Sequence, residues 1–414
     1  MFRIWLYLKF SNFFRSLFEN KQIEKRRKLI EYSILKQSNK KYAVLSSQCR
    51  VAFFFILKFL RKKYDKKEII FCAYNLPEMV NIAKNLNLNI KFCDINNKTG
   101  LIDYKQLNNK LSNKTLAVVL TNMFNNYKDS QKIKELVKKN KTILIEDNAI
   151  YFDNFTKLRN KNIFSGNLGD FSIYSFNIMK NISSFFGGAA STNNKEFIEY
   201  YKNENKKLDE FFSLPLIKQI SIFIILKLMS INFLYKIIFI YIIRYSYYKN
   251  IKSILQLFYP SLKSINKRFP KFYFSKISKL SINATYYQIK DKARRKRIFN
   301  SRKIKHKYYF KKLLKIKNKK FDLLNIKDAN YQNFLDFPIL VKDKDRLNKF
   351  LLNKGIEIRF KHYYNCEKLF KNKGSCINAE RYEKQLICLP VHPKIQLTDM
   401  DFVVKNIEVF CSKR

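Results

Sequence analysis

Glycine and proline are scarce in this chain, seven of each in 414 residues. That rules out a collagen-like repeat and a Pro/Gly-rich disordered chain, and it makes any adjacent glycine pair conspicuous. Histidine occurs three times, at 306, 362 and 392, never at ligand spacing, which argues against a transition-metal site. The seven cysteines (49, 72, 93, 366, 376, 388, 411) are scattered without a C-x-x-C pair. Reduced thiols in a cytosolic protein are the expectation, and neither a disulfide framework nor a zinc site. No charge-free apolar run reaches the ~18 residues of a spanning helix. Acid is the last shortage: 32 Asp and Glu stand against 83 Lys and Arg, a formal charge of +51. The basic residues are spread along the chain with no nucleic-acid-binding motif, and Lys, Asn, Ile and Phe abound as an A/T-rich coding sequence would produce. No nucleic-acid partner is expected.

What is present is a large apolar fraction, 47%, enough for a large core and about two domains. From about Tyr42 to Asn205 short apolar runs alternate with helical periodicity. Tyr42–Leu45, Glu68–Cys72, Ile90–Cys93, Leu116–Leu120 and Thr142–Ile145 read as buried strands. Val51–Leu60, Pro77–Asn85 and Gln131–Lys138 read as helices between them, and Phe171–Tyr174 and Ala189–Thr192 as two further strands. This βαβ order predicts an α/β fold with a mostly parallel sheet covered by helices on both faces. Lys279–Lys317 is basic and helical. Phe334–Leu340, Lys344–Leu352, Glu357–Phe360 and Met400–Phe410 predict a small α+β C-terminal domain. The expected division is a helical N-terminal segment at 1–40, a large domain at 41–205, a hydrophobic basic insert at 206–270, and the long helix with the small domain at 271–414.

Two segments stand outside this pattern. Residues 1–18 are apolar and basic without a small-residue cleavage site, so a secretory signal is not expected. They suit an interfacial helix dipping Trp5, Phe10, Phe13 and Phe14 into lipid headgroups, or a helix packed on the domain or a partner subunit. In the insert, Ile220–Ile243 is nearly all apolar but broken by Lys227 and Lys236. A monotopic segment with both lysines snorkelling outward is expected, and an oligomer interface or core helices is the alternative.

Chemistry concentrates in Gly169–Gly188. Lys180 lies five residues after Ser175, an adjacent pair Gly187-Gly188 follows, and strands flank the segment. A buried lysine has a lowered pKa and can condense with an aldehyde. Asp147 ends the run Thr142–Asp147, at the carboxyl end of a central strand, where open α/β sheets bind ligands. Glu146 should point to the other face. Ser46–Val51 lies between a strand and a helix, so the amides of Cys49 and Arg50 face an anion, and Arg50 adds charge.

Together these segments resemble the DegT/DnrJ/StrS family of sugar aminotransferases, fold-type I enzymes that use pyridoxal 5'-phosphate. Ser175-Phe-Asn177-Ile-Met-Lys180 through Gly187-Gly188 is similar to the family's Ser-Phe-His-x-x-Lys motif and glycine pair. Glu146-Asp147-Asn-Ala149 resembles its Glu-Asp-x-Ala, and Lys354–Arg359, Asn378–Arg381 and Leu389–Pro393 match near the end. The resemblance implies an imine between Lys180 and the cofactor, Asp147 on the pyridine nitrogen, and a phosphate held by Ser175 and the amides at Cys49 and Arg50. Asn177 and Ala149 would complete the cofactor contacts. It implies further a dimer that moves an amino group, usually from glutamate, to a nucleotide-linked keto-sugar for surface polysaccharide, on the cytoplasmic side of the membrane. Lysine at 180 separates the chain from the family's dehydratase branch, which has histidine there. Departures fall at Ile150, Asn177, Phe186 and Leu76, and with the hydrophobic insert they motivate an alternative: a non-catalytic scaffold on the same fold at the membrane.

Overall fold

The computed structural model describes residues 1–124, 127–150, 152, 156–158, 161–163, 165–259, 270–317, 320–324, 335–372, 374 and 376–412. Its centre is a seven-stranded sheet. In chain order the strands are β1 (Tyr42–Ser46), β2 (Glu68–Cys72), β3 (Asn89–Cys93), β4 (Thr115–Thr121), β5 (Ile143–Asp147), β6 (Phe171–Ser175) and β7 (Gly188–Thr192). Their spatial order is β1-β7-β6-β5-β4-β2-β3. The five strands from β3 to β6 pair in parallel, and β7 and β1 close one edge antiparallel. Every residue of β4 is buried, as the two-sided covering of a parallel strand requires. Helices Cys49–Lys63, Pro77–Asn85, Tyr104–Lys110 and Tyr127–Lys139 lie in the crossovers. The α/β architecture thus follows the apolar periodicity, each strand within two residues of its expected ends.

The C-terminal part is a three-stranded antiparallel sheet, Phe321–Leu323, Phe337–Val341 and Leu386–Leu389, with helices Lys344–Asn353 and Leu397–Ser412. Residue 334, the first of an expected strand, lies outside the described residues. The expected strand Glu357–Phe360 reduces to one bridge, Arg359 to Cys388. Its hydrogen bonds go elsewhere: Glu357 N–H donates to the Met1 carbonyl at 3.0 Å, and the Glu357 carboxylate takes Arg3 Nε at 3.1 Å and the Tyr259 hydroxyl at 2.8 Å.

That interaction corrects the expectation for the N-terminus. Residues 1–9 are not helical; Phe2, Ile4, Leu6 and Leu8 enter the main core. Helix starts only at Phe10 and runs to Phe18. Phe13 is buried against Phe185 and Phe223 and is not available to lipid, and the half-buried Trp5 stacks near His392. Burying a phenylalanine is worth about 1.5–3 kcal/mol, which favours the packed arrangement for these positions.

In the insert, helix Ser213–Met229 and segment Asn232–Tyr248 meet at a bend of 86°. No single helix among the described residues is long and apolar enough to cross a membrane; only this pair passes, by length and composition. Lys227 does not snorkel outward. Its Nζ donates to the Leu6 carbonyl at 2.9 Å, and burial lowers the amine to about 8. Lys236 is exposed, as expected. Residues 260–269 of the insert lie outside the described residues.

Candidate active site

Asp147 and Ile173 are register partners, and so are Ser175 and Gly188, and Gly188 and Ser46. Partners share a sheet face and alternate residues return to it. Asp147, Ser175 and Gly188 therefore share one face, at the carboxyl end of the parallel strands, while Glu146 and Ser172 share the other. Helix Cys49–Lys63 begins above that end, directly after β1.

Lys180 sits in the loop between β6 and β7, which folds back on itself: its N–H donates to the Asn177 carbonyl at 2.9 Å, and its own carbonyl accepts the Ser183 hydroxyl at 3.1 Å. Burial lowers its amine to about 8, opposed first by the Asp147 carboxylate and then by Cys49, with Arg359 and Arg50 pushing down. Asp147 is buried. Its carboxyl is raised by burial, against the Ala149 N–H, donated at 2.9 Å, and the Lys180 charge. Each group senses the charge of the other, and each is biased toward its neutral form by loss of water. Ala149 holds Asp147 through that hydrogen bond.

The start of helix Cys49–Lys63 is left open to a ligand. Gly187 N–H donates to the Ser47 carbonyl at 2.6 Å, and Gly187 has φ of +121°, which an L side chain resists. A Cβ at 188 would stand 2.2 Å from Cys49 N and 2.4 Å from Gln48 C. The missing side chain keeps the front of the first helical amides clear. Gln48 Nε2 is buried there without a hydrogen-bond partner, a donor that an anion at the helix N-terminus would satisfy. An aldehyde-bearing, phosphorylated ring with a basic nitrogen fits this donor set: an amine, a carboxylate and a ring of N–H groups.

The other expected residues are placed as follows. Cys49 contributes a thiol pushed well above its ordinary range by burial, with Asp147 adding to that, so it is inert as a nucleophile. The Arg50 side chain is engaged by Tyr273, donating to its hydroxyl at 2.8 Å with the guanidinium 5.0 Å from the ring centroid. Asn177 turns its amide oxygen to Ile178 N–H at 2.6 Å and to Gln219 Nε2 at 3.3 Å, a residue of the insert. Of the departing positions, Phe186 packs on Phe211 and Phe272, and the Ile150 carbonyl accepts Asn181 Nδ2 at 3.4 Å.

Two features escaped the sequence. Glu146 holds the 166–169 loop: its carboxylate accepts Gly166 N–H at 3.1 Å, Leu168 N–H at 3.0 Å and Gly169 N–H at 3.1 Å. The small domain contributes Arg359, His362 and Tyr363. Burial holds the His362 imidazole well below its ordinary range, helped by Arg359 and Lys180. Burial, followed by the Asp147 charge, raises the Tyr363 phenol. Only three histidines exist, and one lies three residues after the matched Arg359; that proximity was the available signal.

Comparison with known proteins bears on the fold and the family. The chain is 29% identical over 165 residues to GDP-perosamine synthase of Escherichia coli O157:H7, covering 40% of this chain and 44% of that one. It is 29% identical over 140 residues to UDP-4-amino-4,6-dideoxy-N-acetyl-beta-L-altrosamine transaminase of Campylobacter jejuni, covering 33% and 36%. The matches thus span less than half the length of these relatives. Helicobacter pylori PseC, an aminotransferase of pseudoaminic acid biosynthesis, superposes with a TM-score of 0.68 at 17% identity over 96% of this chain and 94% of that one. E. coli GDP-4-keto-6-deoxy-D-mannose-3-dehydratase with bound hydrated PLP superposes at 0.70, with 18% identity and 97% of each chain covered. At such identities the superpositions establish the fold, that of fold-type I PLP-dependent proteins. The model of the DegT/DnrJ/EryC1/StrS aminotransferase family matches residues 18–206 and 290–408, on either side of the insert. With most of its length matched and the sheet, loop and glycine pair arranged as described, the chain belongs to the DegT/DnrJ/EryC1/StrS aminotransferase family.

Proposed function

We propose that this protein is a pyridoxal-phosphate-dependent aminotransferase that passes an amino group from glutamate to a nucleotide-linked keto-sugar for surface polysaccharide, working as a homodimer in the cytoplasm. The observation that carries it is the shared sheet face of Asp147, Ser175 and Gly188 at the carboxyl end of the parallel strands, beside the Lys180 loop and the open start of helix Cys49–Lys63. Bound there, the cofactor would supply an electron sink for the carbon that loses or gains the amino group.

The residues divide the remaining work. Lys180 Nζ, lowered to about 8, would be the amine that holds the cofactor aldehyde, and as a partly neutral amine at pH 7 it can carry a proton to and from the substrate carbon. Asp147 would favour a protonated ring nitrogen on the bound cofactor, since a buried carboxylate gains most from a cationic N–H. Ser175, Gln48 Nε2 and the amides of Cys49 and Arg50 bind the phosphate. Ala149 fixes Asp147, and Asn177 shapes the lysine loop. The sugar-nucleotide substrate is supported by the perosamine and altrosamine relatives and by the cationic Arg50 near Lys180, while Arg359 is paired with Asp336 at 2.8 Å.

The test is spectroscopic. Purified protein with added pyridoxal phosphate should develop the visible band of a lysine-bound cofactor, which Lys180→Ala abolishes. Glutamate should bleach it by converting the cofactor to its amine form. A protein that stays colourless refutes the reading. A coloured protein indifferent to glutamate favours the scaffold alternative.

A further inference from the structure

One surface is unused by the catalytic reading. Along helix Ser213–Met229, Leu214, Ile217, Ile224, Ile225 and Leu228 are exposed; along Asn232–Tyr248, Phe233, Ile237, Ile238, Tyr241, Ile242 and Tyr245 are. Phe233 is 69% exposed and Leu214 78%. Phe10 packs on Phe223 of the first helix and stacks on Phe14, so the exposed rings of Phe10 and Phe14 border the same face. More than a dozen large apolar side chains about half-exposed leave on the order of 1,000 Å² of apolar surface, beyond the few hundred Å² a monomer ordinarily shows.

The helices are firmly seated. Arg244 donates to the carbonyls of Leu352 at 3.0 Å and Asn353 at 2.6 Å, the Tyr235 hydroxyl to Gly355 at 3.3 Å, and Lys227 to Leu6. Lys227, the one cation in the middle of the first helix, is thereby drawn off the exposed face. The cations that remain exposed lie elsewhere along it: Lys218, Lys236, Lys249 and Lys252. Between Glu210 and Asp291 the sequence has thirteen Lys and Arg and no acidic residue.

That charge pattern selects the occupant. A second copy would bring the same cations against these with no carboxylate from the segment to meet them, and like charges in an interface are repulsive. An anionic bilayer satisfies both features, accepting the apolar side chains among its acyl chains and the lysines at its headgroups, with tyrosines at the boundary. We propose that this face of the insert, with Phe10 and Phe14, is a monotopic docking surface for an anionic lipid bilayer. The inference goes beyond the aminotransferase reading and does not depend on it, because attachment is measured without turnover.

Flotation of the full-length protein with vesicles of phosphatidylcholine alone, and of phosphatidylcholine with phosphatidylglycerol, tests it. The protein should float with the anionic vesicles at low salt and be released as salt rises. Neutralising Lys218, Lys236 and Lys249 together with glutamine should weaken binding on the order of 10- to 100-fold. The combined change Phe233→Ser, Ile237→Ser and Tyr241→Ser should abolish it, with the melting temperature and the sedimentation mass unchanged. No flotation with either vesicle, equal flotation with both, or an unaffected lysine variant overturns the proposal. So does a fall in assembly size in the serine variant, which would assign the face to a second copy. Should the serine variant fail to fold, the exposed lysines still decide the question. Loss of flotation with the cofactor band retained separates failure here from failure of the catalytic reading.

Discussion

Asp147→Asn is the sharpest probe of the site, because it should move two properties in opposite directions. In the cofactor-free protein the Lys180 amine lies at about 8, held up by Asp147 against the burial that lowers it. At pH 7 about a tenth of such amines are neutral, against roughly one in 3,000 for a lysine at the ordinary value of 10.5. An opposite charge at close range is worth about 1–3 units. Removing it therefore lowers the Lys180 midpoint to about 7 or below, and at least half the amines are then neutral at pH 7, a rise of about fivefold. Capture of pyridoxal phosphate by the lysine, trapped with borohydride and located by mass spectrometry across pH, should show this downward shift. Amino transfer should move the other way, falling on the order of 100-fold or more, since the ring nitrogen loses its charged partner. A capture midpoint that stays at about 8 would refute the electrostatic coupling on which the site is built. An upward shift would reverse its sign.

Lys180→Met should stabilise the cofactor-free protein. The folded-state amine lies below its unfolded value, so stability is complete above about 10.5 and is lost as pH falls toward about 8; at pH 7 the full penalty, at most about 3 kcal/mol, is relieved by the substitution. Thermal melts at pH 7 and pH 10 check this: the gain should shrink at the higher pH, and a gain independent of pH would disprove it. Gly188→Ala should cost about 1–3 kcal/mol and weaken binding of the phosphorylated cofactor, because its methyl meets Cys49 N. Gly355→Ala, strained at φ +76° but with open space around it, should lose stability in a denaturant melt without touching cofactor affinity; equal loss of affinity in both would refute the cradle. Glu146→Gln should cost about 3 kcal/mol or more, since three backbone N–H groups lose a charged acceptor. A midpoint shift under about 1 kcal/mol in urea would contradict that role.

β2 and helix Pro77–Asn85 have the expected ends because local signals agree there: a β-branched apolar run, and a proline at the first helical turn. Glu357–Phe360 has the alternation of a strand, yet its backbone serves the N-terminal segment and leaves one bridge to the sheet. Nothing near position 357 in the sequence announces Arg3. Lys227 reads as a surface cation, but its partner is the carbonyl of residue 6, more than two hundred positions away.

Periodicity, the lysine loop with its glycine pair and the acid at a strand end are local patterns, and they were enough to determine an α/β fold and the residue types of a candidate site. Register is not local. Only the folded sheet put Asp147, Ser175 and Gly188 on one face, brought His362 near Lys180 and Tyr363 near Asp147 from the small domain, and buried Phe13 while leaving Phe10 and Phe14 outside. Those outcomes depend on which distant groups compete for the same buried space and hydrogen bonds, and that competition exists only once the chain has closed on itself.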